Sequence, residues 1–213
     1  MDPRMAGERE LLLDLLVKEG ISDPRVLEAM RRVPRERFVP ERLRKHAYRN
    51  SPLPIGLEQT ISQPLMVAVM VEALRIEPAH RVLEVGTGLG YEAAVLAELA
   101  SEVFSVERHE PLATAAAERL RDAGYAKVQV RQGDGSHGWV EHAPYDGIVV
   151  AAASREVPLP LLEQLRIGGR LVIPYEFDSR NQQLFCITRV DEHRFAHENL
   201  GGVRFVPLVT GGD

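Results

Sequence analysis

From residue 81 onward, short apolar segments with strand-like composition alternate with longer segments that have helical spacing. The strand-like segments are 81–85, 103–106, 127–131, 146–150 and 170–174. The helical segments are 90–100, 110–123 and the residues after Pro158 and Pro160. Strands that alternate with helices of about 10 to 15 residues form parallel βαβ units. The pattern predicts an α/β fold with a Rossmann-like, doubly wound, mostly parallel sheet.

The C-terminal part of the chain departs from this alternation. Residues 182–190 and 202–209 are rich in residues typical of strands, and no helical segment lies between them. Strands joined without a crossover helix pair in antiparallel fashion. We therefore expect these two segments to close the sheet as an antiparallel pair.

The N-terminal part predicts helices and turns. Residues 6–18 have the spacing of an amphipathic helix, and Asp23 followed by Pro24 is a helix start signal. Four prolines interrupt residues 34–60, which predicts a layer of turns with one short helix at 41–47 and no sheet. The chain is thus expected to have a helical flank, residues 1–77, and a sheet domain, residues 78–213, in one compact unit.

Composition excludes several classes of protein. With 213 residues and 45% hydrophobic residues, the chain can bury one sizeable core. Its single cysteine, Cys186, cannot form an intramolecular disulfide and is expected to be a buried thiol. No apolar run approaches the ~20 residues that span a bilayer, and the first residues lack the apolar core of a signal peptide. We therefore expect a cytoplasmic, monomeric protein without a membrane partner.

Charge is unevenly distributed along the chain. The net charge of −5 argues against a stable nucleic-acid partner, because such binding depends on neutralising phosphates. Residues 25–49, however, contain nine basic and three acidic residues, an excess of six. The simpler interpretation is the solvated face of two short helices. The alternative is a positive field that attracts an anionic substrate.

A glycine-rich turn follows the first predicted strand of the sheet. Residues 82–90 read Val-Leu-Glu-Val-Gly-Thr-Gly-Leu-Gly. A nicotinamide-binding G-x-G-x-x-G motif would need its third glycine at position 91, which is Tyr91. The observed G-x-G-x-G spacing resembles the S-adenosylmethionine loop of class I methyltransferases. That resemblance assigns cofactor binding to Glu84, Gly86, Thr87, Gly88 and Gly90.

Two further acids follow neighbouring strands. Glu107 ends the second strand, about 20 residues after the loop, where a carboxylate can accept both hydroxyls of a ribose. Asp134 and Gly135 follow the third strand, and Asp134 matches the methyltransferase position that meets the adenine amino group. Ligands of this fold bind at the carboxyl ends of the strands, so the three acids are expected in one crevice.

One segment before the sheet identifies a particular protein family more narrowly than the glycine loop does. Residues 52–64, Pro-Leu-Pro-Ile-Gly-Leu-Glu-Gln-Thr-Ile-Ser-Gln-Pro, resemble the signature of the protein-L-isoaspartate O-methyltransferase family. Further matches are residues 37–40, 86–94, 133–138, 164–169 and 203–208. The resemblance covers nearly the whole chain.

The resemblance implies methyl transfer from S-adenosylmethionine to the α-carboxylate of an L-isoaspartyl residue in a damaged protein or peptide. The ester then cyclises to a succinimide, which hydrolyses partly to aspartate. Ser62 matches the family's active-site serine, and Ile61, Ser62 and Gln63 match the segment that covers the cofactor. The implied peptide clamp consists of Leu53, Pro54, Ile55, Thr60, Val203, Phe205 and Val206.

The implied chemistry needs no general base. A carboxylate with a pKa of about 3 to 4 is ionised at pH 7 and can attack a sulfonium methyl directly. Ser62 is therefore assigned as a hydroxyl donor that orients the carboxylate. Because Gln63 and Pro64 lead into an apolar stretch, Ser62 is also expected to be a helix N-cap.

Several departures from the family pattern leave the acceptor open. Family members usually carry Asp at Asn50, Gly at Glu58 and Gly near Tyr175 and Glu176, and these positions lie near the expected peptide groove. Leu89 and Glu92 also depart from the pattern, but they flank the cofactor loop and are expected to leave cofactor binding intact. The alternatives are an O-methyltransferase for another carboxylate or an RNA, and a cofactor-binding protein without turnover. The histidine pairs His137/His142 and His193/His197 lack the geometry of metal ligands, so no metal site is expected.

Overall fold

The computed structural model describes residues 3–178 and 180–211, so the predicted outer limits at residues 1 and 213 lie outside it. The flank begins with helices α1 (Pro3–Lys18) and α2 (Pro24–Arg32), followed by 3-10 turns at Arg35–Arg37 and Glu41–His46. Asp23 caps α2, as predicted, and its carboxylate accepts a 2.8 Å hydrogen bond from Arg25 N.

The expectation of turns without a sheet in residues 34–60 is wrong. Strands β1 (Leu53–Gly56) and β2 (Gln59–Ile61) form an antiparallel hairpin. Its turn residues, Leu57 and Glu58, both have positive φ values, 53° and 58°. A two-residue turn with positive φ at both positions matches strand twist and normally uses Asn-Gly, so the sequence carried no turn signal here.

The predicted N-cap is also wrong. Helix α3 (Pro64–Leu74) has Gln63 as its N-cap, with no side-chain cap bond. Instead, Asn50 Oδ1 accepts a 3.1 Å hydrogen bond from Leu65 N. A residue 15 positions upstream therefore satisfies one of the free N–H groups at the helix start, which leaves Ser62 available for another role.

The main sheet has seven strands in the order β5-β4-β3-β6-β7-β8-β9, and strands β3 to β7 run parallel. The strands are β3 (Arg81–Val85), β4 (Glu102–Glu107), β5 (Gln129–Gln132), β6 (Tyr145–Val150), β7 (Leu165–Asp178), β8 (Asn181–Arg189) and β9 (Phe195–Val203). The intervening helices are α4 (Tyr91–Leu99), α5 (Glu110–Asp122) and α6 (Leu159–Glu163). The predicted α/β architecture is confirmed.

The last strand is displaced from its predicted position. β8 and β9 form the expected antiparallel pair, but β9 covers Phe195–Val203 and not 202–209. β9 is an exposed edge strand with polar side chains, so it lacks the apolar signature that identifies buried strands. Val206 and Leu208, whose apolar character suggested a strand at 202–209, instead line a cavity.

Flank and sheet share one hydrophobic core. Leu16, Met30 and Phe38 of the flank lie in the same buried cluster as Leu96 and Val149 of the sheet domain. Cys186 is buried, as expected. Within residues 3–178 and 180–211, no helix has the length and apolar character needed to cross a membrane.

Much of the positive charge of residues 25–49 is neutralised by nearby acids. Arg31 pairs with Glu10 and Glu28, and Arg32 pairs with Glu28. Arg25 pairs with Asp23 and Glu77. This part of the basic segment is therefore a network of surface ion pairs, as the simpler interpretation predicts.

Candidate active site

The glycine loop connects β3 to α4 and is held by tight backbone geometry. Gly86, Gly88 and Gly90 all have positive φ values. At Gly90, with φ at 86°, an added Cβ would lie 3.0 Å from Leu120 Cγ. Only glycine fits both the backbone conformation and the available space there. Gly90 therefore shapes the loop from beneath and does not line the cavity above it.

Glu107 fixes the loop from the neighbouring strand. Its Oε2 accepts a 2.8 Å bond from Gly88 N, and its Oε1 accepts a 2.9 Å bond from His109 N. The residue is only 5% exposed and lines the cavity. Because each carboxylate oxygen has two lone pairs, Glu107 can still accept hydroxyl groups from a ligand.

Glu84 lies beneath the loop in a short chain of buried polar groups. Ser105 Oγ donates to Glu84 Oε2 and lies 2.5 Å from Thr87 Oγ1. Burial and repulsion from Glu92 raise the pKa of Glu84 well above its ordinary value. The carboxyl that sequence analysis placed before the loop is thus a fully enclosed acid.

Asp134 and Gly135 follow β5. Asp134 Oδ1 accepts bonds from Ser136 N and Ser136 Oγ, while Oδ2 accepts a 2.8 Å bond from Gly211 N. These hydrogen bonds keep the pKa of Asp134 low, although partial burial opposes them. Gly135 lines the cavity, and an added Cβ there would lie 2.3 Å from Val85 Cγ1. A close approach of two backbones therefore requires glycine at this position.

Ser62 is positioned by a buried arginine that sequence analysis had placed among the surface charges. The Arg35 guanidinium donates through Nη2 to Ser62 O at 2.7 Å and through Nε to Ala47 O at 2.9 Å. Arg35 is 0% exposed and stacks 4.6 Å from the ring centre of Tyr91. It therefore connects the flank, the Ser62 segment and the start of α4.

Eight of the eleven predicted cofactor residues line one cavity above the glycine loop. Of the sequence-predicted site residues, eleven line it: Ile55, Thr60, Ile61, Ser62, Glu84, Gly86, Thr87, Gly88, Glu107, Gly135 and Val206. Gly90, Asp134 and Gln63 do not line it. Glu92, which follows the glycine loop in the sequence but is not among the predicted cofactor-binding residues, also lines it.

A second cavity adjoins the first. It is lined by Gln63, Val203, Phe205 and neighbouring residues, together with Thr60, Ser62, Ala151 and Val206, which line both cavities. Leu53 lies in the hydrophobic core and Pro54 is exposed on the hairpin, so neither lines these cavities. The two cavities meet at Ser62.

The rim of the second cavity is held by an acid that departs from the family pattern. Glu176 Oε2 accepts from Gln182 Nε2, and Gln182 Oε1 accepts a 2.7 Å bond from Phe205 N. Glu176 also pairs with Arg155 at 3.0 Å. Glu58, another acid that departs from the expected pattern, is exposed to solvent on the hairpin turn.

The mostly parallel sheet, the acids after two neighbouring strands and the cavity at their carboxyl ends are common to nucleotide-binding α/β folds. With the G-x-G-x-G spacing of the loop, the fold is that of the class I S-adenosylmethionine-dependent methyltransferases. Residues 7–213 match the family described as Protein-L-isoaspartate(D-aspartate) O-methyltransferase. The chain belongs to this family.

Curated relatives cover most of the chain. It is 56% identical over 194 residues to Protein-L-isoaspartate O-methyltransferase 2 of Marinobacter nauticus, covering 91% of this chain and 89% of the relative. It is 53% identical over 194 residues to the Protein-L-isoaspartate O-methyltransferase of Rhodopseudomonas palustris, with the same coverage of both chains.

Solved structures share the fold. One named as a protein-L-isoaspartate O-methyltransferase has a TM-score of 0.84 and 31% identity, over 96% of this chain and 66% of that longer chain. A Plasmodium falciparum structure described as a protein-L-isoaspartate O-methyltransferase in complex with S-adenosyl-L-homocysteine has a TM-score of 0.81 and 26% identity. That match covers 94% of this chain and 98% of the other.

Proposed function

We propose that the protein transfers a methyl group from S-adenosylmethionine to the α-carboxylate of L-isoaspartyl residues in damaged proteins and peptides. The ester closes to a succinimide, and hydrolysis of the succinimide returns part of the material to aspartate. Membership of the family supports this function. The observation that carries it is the meeting of two cavities at Ser62, one above the glycine loop and one lined by Gln63, Val203 and Phe205.

The first cavity suits S-adenosylmethionine. Glu107 offers acceptors for ribose hydroxyls, and Glu84 has an enclosed Oε1 without a hydrogen-bond partner among the described residues. The residues proposed to hold the cofactor are Ile61, Ser62, Gln63, Glu84, Gly86, Thr87, Gly88, Gly90, Glu107, Asp134 and Gly135. The cofactor supplies the methyl group on a positively charged sulfur, which an ionised carboxylate can attack.

Ser62 is proposed to donate a hydrogen bond to one oxygen of the substrate carboxylate. The carboxylate needs no base, because it is ionised at neutral pH. The rate acceleration comes from placing the attacking oxygen in line with the bond between sulfur and the methyl group, and from excluding water. Arg35 supports this placement by holding the Ser62 carbonyl, and the hairpin residues Ile55 and Thr60 line the cavity beside it.

The second cavity is proposed to bind the peptide. Thr60, Val203, Phe205 and Val206 line it, and Ile55 lines the adjoining cofactor cavity. Arg180 and Arg204 also line the second cavity and favour an anionic acceptor. Leu53 and Pro54 are proposed to support the clamp through the hairpin that carries Thr60.

A labelling experiment tests this function. The protein is incubated with methyl-labelled cofactor and matched peptides that contain either an isoaspartyl or an aspartyl residue, and base-labile methyl ester is measured. Label on the isoaspartyl peptide alone supports repair. Equal label on the aspartyl peptide indicates another carboxylate acceptor, and label on neither, with cofactor binding shown by calorimetry, contradicts the peptide function. An RNA acceptor requires its own labelling test.

We also propose that residues 1–77 act as a substrate-facing flank on a methyltransferase domain formed by residues 78–213. Ser62 and the hairpin belong to this flank. A monomeric, cytoplasmic protein without a stable nucleic-acid or membrane partner is proposed from the net charge of −5 and the single cysteine. Light scattering after gel filtration tests the oligomeric state.

A further inference from the structure

Two buried carboxyl groups line the cofactor cavity. Glu84 is 0% exposed, and Glu92, on the first turn of α4, is 7% exposed. The Oε1 atom of each is enclosed and has no hydrogen-bond partner of normal geometry among the residues that the structure describes. The backbone N–H of Ala93 lies close enough to Glu84 to oppose the rise of its pKa, so Glu92 is the carboxyl without any donor among these residues. An enclosed acceptor without a donor destabilises the folded protein, because the lost hydration is not replaced. Two such acceptors in one cavity suggest that a bound ligand supplies the donor.

The surrounding charges limit what that donor can be. Arg35 is the cation that stabilises ionised Glu92, while Glu84 repels it and Glu107 in turn repels Glu84. Arg35 donates through Nε to Ala47 O and through Nη2 to Ser62 O. Its Nη1 is enclosed without a partner among the described residues, and neither carboxyl accepts a hydrogen bond from it there. Glu92 therefore lies beside a second buried carboxyl group, and the Arg35 guanidinium near it bonds to neither, so a cationic donor fits this part of the cavity better than a neutral one.

We propose that Glu92, together with Glu84, accepts hydrogen bonds from the α-ammonium group of the bound cofactor, and that the Glu92 carboxyl ionises when the cofactor binds. The inference rests on the proposed function, since it takes S-adenosylmethionine as the ligand. Its consequence is that cofactor binding releases a proton from the protein.

The direction of the pH dependence follows from the state of Glu92 before binding. Burial raises its pKa to about 8, although Arg35 opposes the shift. Below pH 8 the carboxyl is largely protonated and must lose its proton to hold a cation. Affinity for the cofactor should therefore rise up to about tenfold per pH unit toward pH 8 and fall at higher pH, where the α-ammonium group of the ligand loses its own proton. The pair with Glu84 titrates as one coupled system.

Calorimetry with S-adenosyl-L-homocysteine tests this proposal, because this ligand carries the same ammonium group and no methyl to transfer. Titrations at pH 7 in two buffers of different ionisation enthalpy give the number of protons released on binding. The wild-type protein should release roughly half to one proton more than Glu92→Gln. The ligand's own titration is common to both proteins and cancels in the comparison.

Glu118→Gln, an exposed carboxyl on α5, serves as the matched control and should release as many protons as the wild type. If Glu92→Gln melts far below the wild type, Glu92→Leu gives the same comparison without a titratable group. Equal proton release by the wild type and the uncharged variants would overturn the role of Glu92 and leave the proposed function standing. Absence of binding in the folded wild-type protein would overturn both.

Discussion

Arg35 shows how one buried side chain can position another residue. Its guanidinium is fully enclosed, and two of its nitrogens hold the carbonyls of Ala47 and Ser62. Burial lowers its pKa, against the opposing influence of Tyr91, Tyr48 and Glu92. The planar guanidinium donates in fixed directions, so it can hold the carbonyl oxygens of Ala47 and Ser62 at the same time. This geometry accounts for a buried arginine at position 35.

Arg35→Lys tests that geometry. A lysine keeps the charge but has no rigid fork, so we expect it to lose at least one of the two carbonyl bonds. Turnover should fall about tenfold or more, since small displacements of reacting groups are costly. Affinity for S-adenosyl-L-homocysteine should change by less than about threefold. Arg37→Lys, exposed on the same turn, is the control. Unchanged turnover in Arg35→Lys would refute the positioning role.

Ser62→Ala tests the proposed hydroxyl donor. A hydrogen bond to a charged group contributes about 1.5 to 3 kcal/mol, which corresponds to a roughly 10- to 100-fold loss of turnover. Because Gln63 and not Ser62 is the N-cap of α3, the melting temperature should hardly change. Ser101→Ala, whose hydroxyl bonds to His80 O, should keep full turnover. Equal turnover in Ser62→Ala and wild type would remove the assignment.

At the scale of elements, α3 joins the substrate-facing segment to the sheet domain. The helix begins directly after Ser62 and Gln63, and its start is capped from outside by Asn50. Asn50 therefore fixes the point at which the chain turns from the cavity into the helix. An amide oxygen is therefore sufficient to cap this helix.

Removal of this cap should destabilise the protein. Asn50→Ala is expected to lower the free energy of unfolding by about 1 kcal/mol, the usual contribution of a capping side chain. Asn50→Asp should retain or increase stability at neutral pH, because a carboxylate also accepts the bond and interacts favourably with the helix N-terminus. Urea unfolding of the three proteins measures both effects. A fully stable Asn50→Ala would show that the bond to Leu65 contributes nothing.

The elements also show which parts of the structure a sequence can predict. β3, β4 and β6 were predicted closely because buried strands have continuous apolar runs. β9 was misplaced because its side chains are exposed. The acids Glu84 and Glu107 follow from spacing within strands. The roles of Arg35 and Asn50 could not be predicted, because their partners lie 27 and 15 residues away and neither pairing has a local pattern.

For the molecule as a whole, the flank and the sheet form one core, and the two cavities open where they meet. Buried acids at this junction connect the site to the stability of the whole chain. Burial raises the pKa of Glu92 from 4.5 to about 8, so the folded protein holds a proton that the unfolded chain loses between these values.

Stability should therefore depend on pH. The contribution of Glu92 to the free energy of unfolding is fully present below pH 4.5. It is lost as pH rises toward 8, at up to about 1.4 kcal/mol per pH unit for one proton. Urea unfolding at about pH 5.5 and about pH 7.5 gives the free energy of unfolding at each pH. Between these two pH values it should fall more in the wild type than in Glu92→Gln. Glu118→Gln should follow the wild type. Parallel slopes for all three proteins would contradict the raised pKa.

Conversion of a single isoaspartyl peptide, followed by mass spectrometry and chromatography over many turnovers, tests the function of the whole molecule. With S-adenosylmethionine present, we predict that a methyl ester appears first, then a succinimide, and that aspartyl peptide accumulates while isoaspartyl peptide declines. The matched aspartyl peptide should remain unmethylated. An isoaspartyl peptide that stays unchanged with folded, cofactor-binding protein, or an ester that forms equally on both peptides, would contradict isoaspartyl repair as the function of this chain.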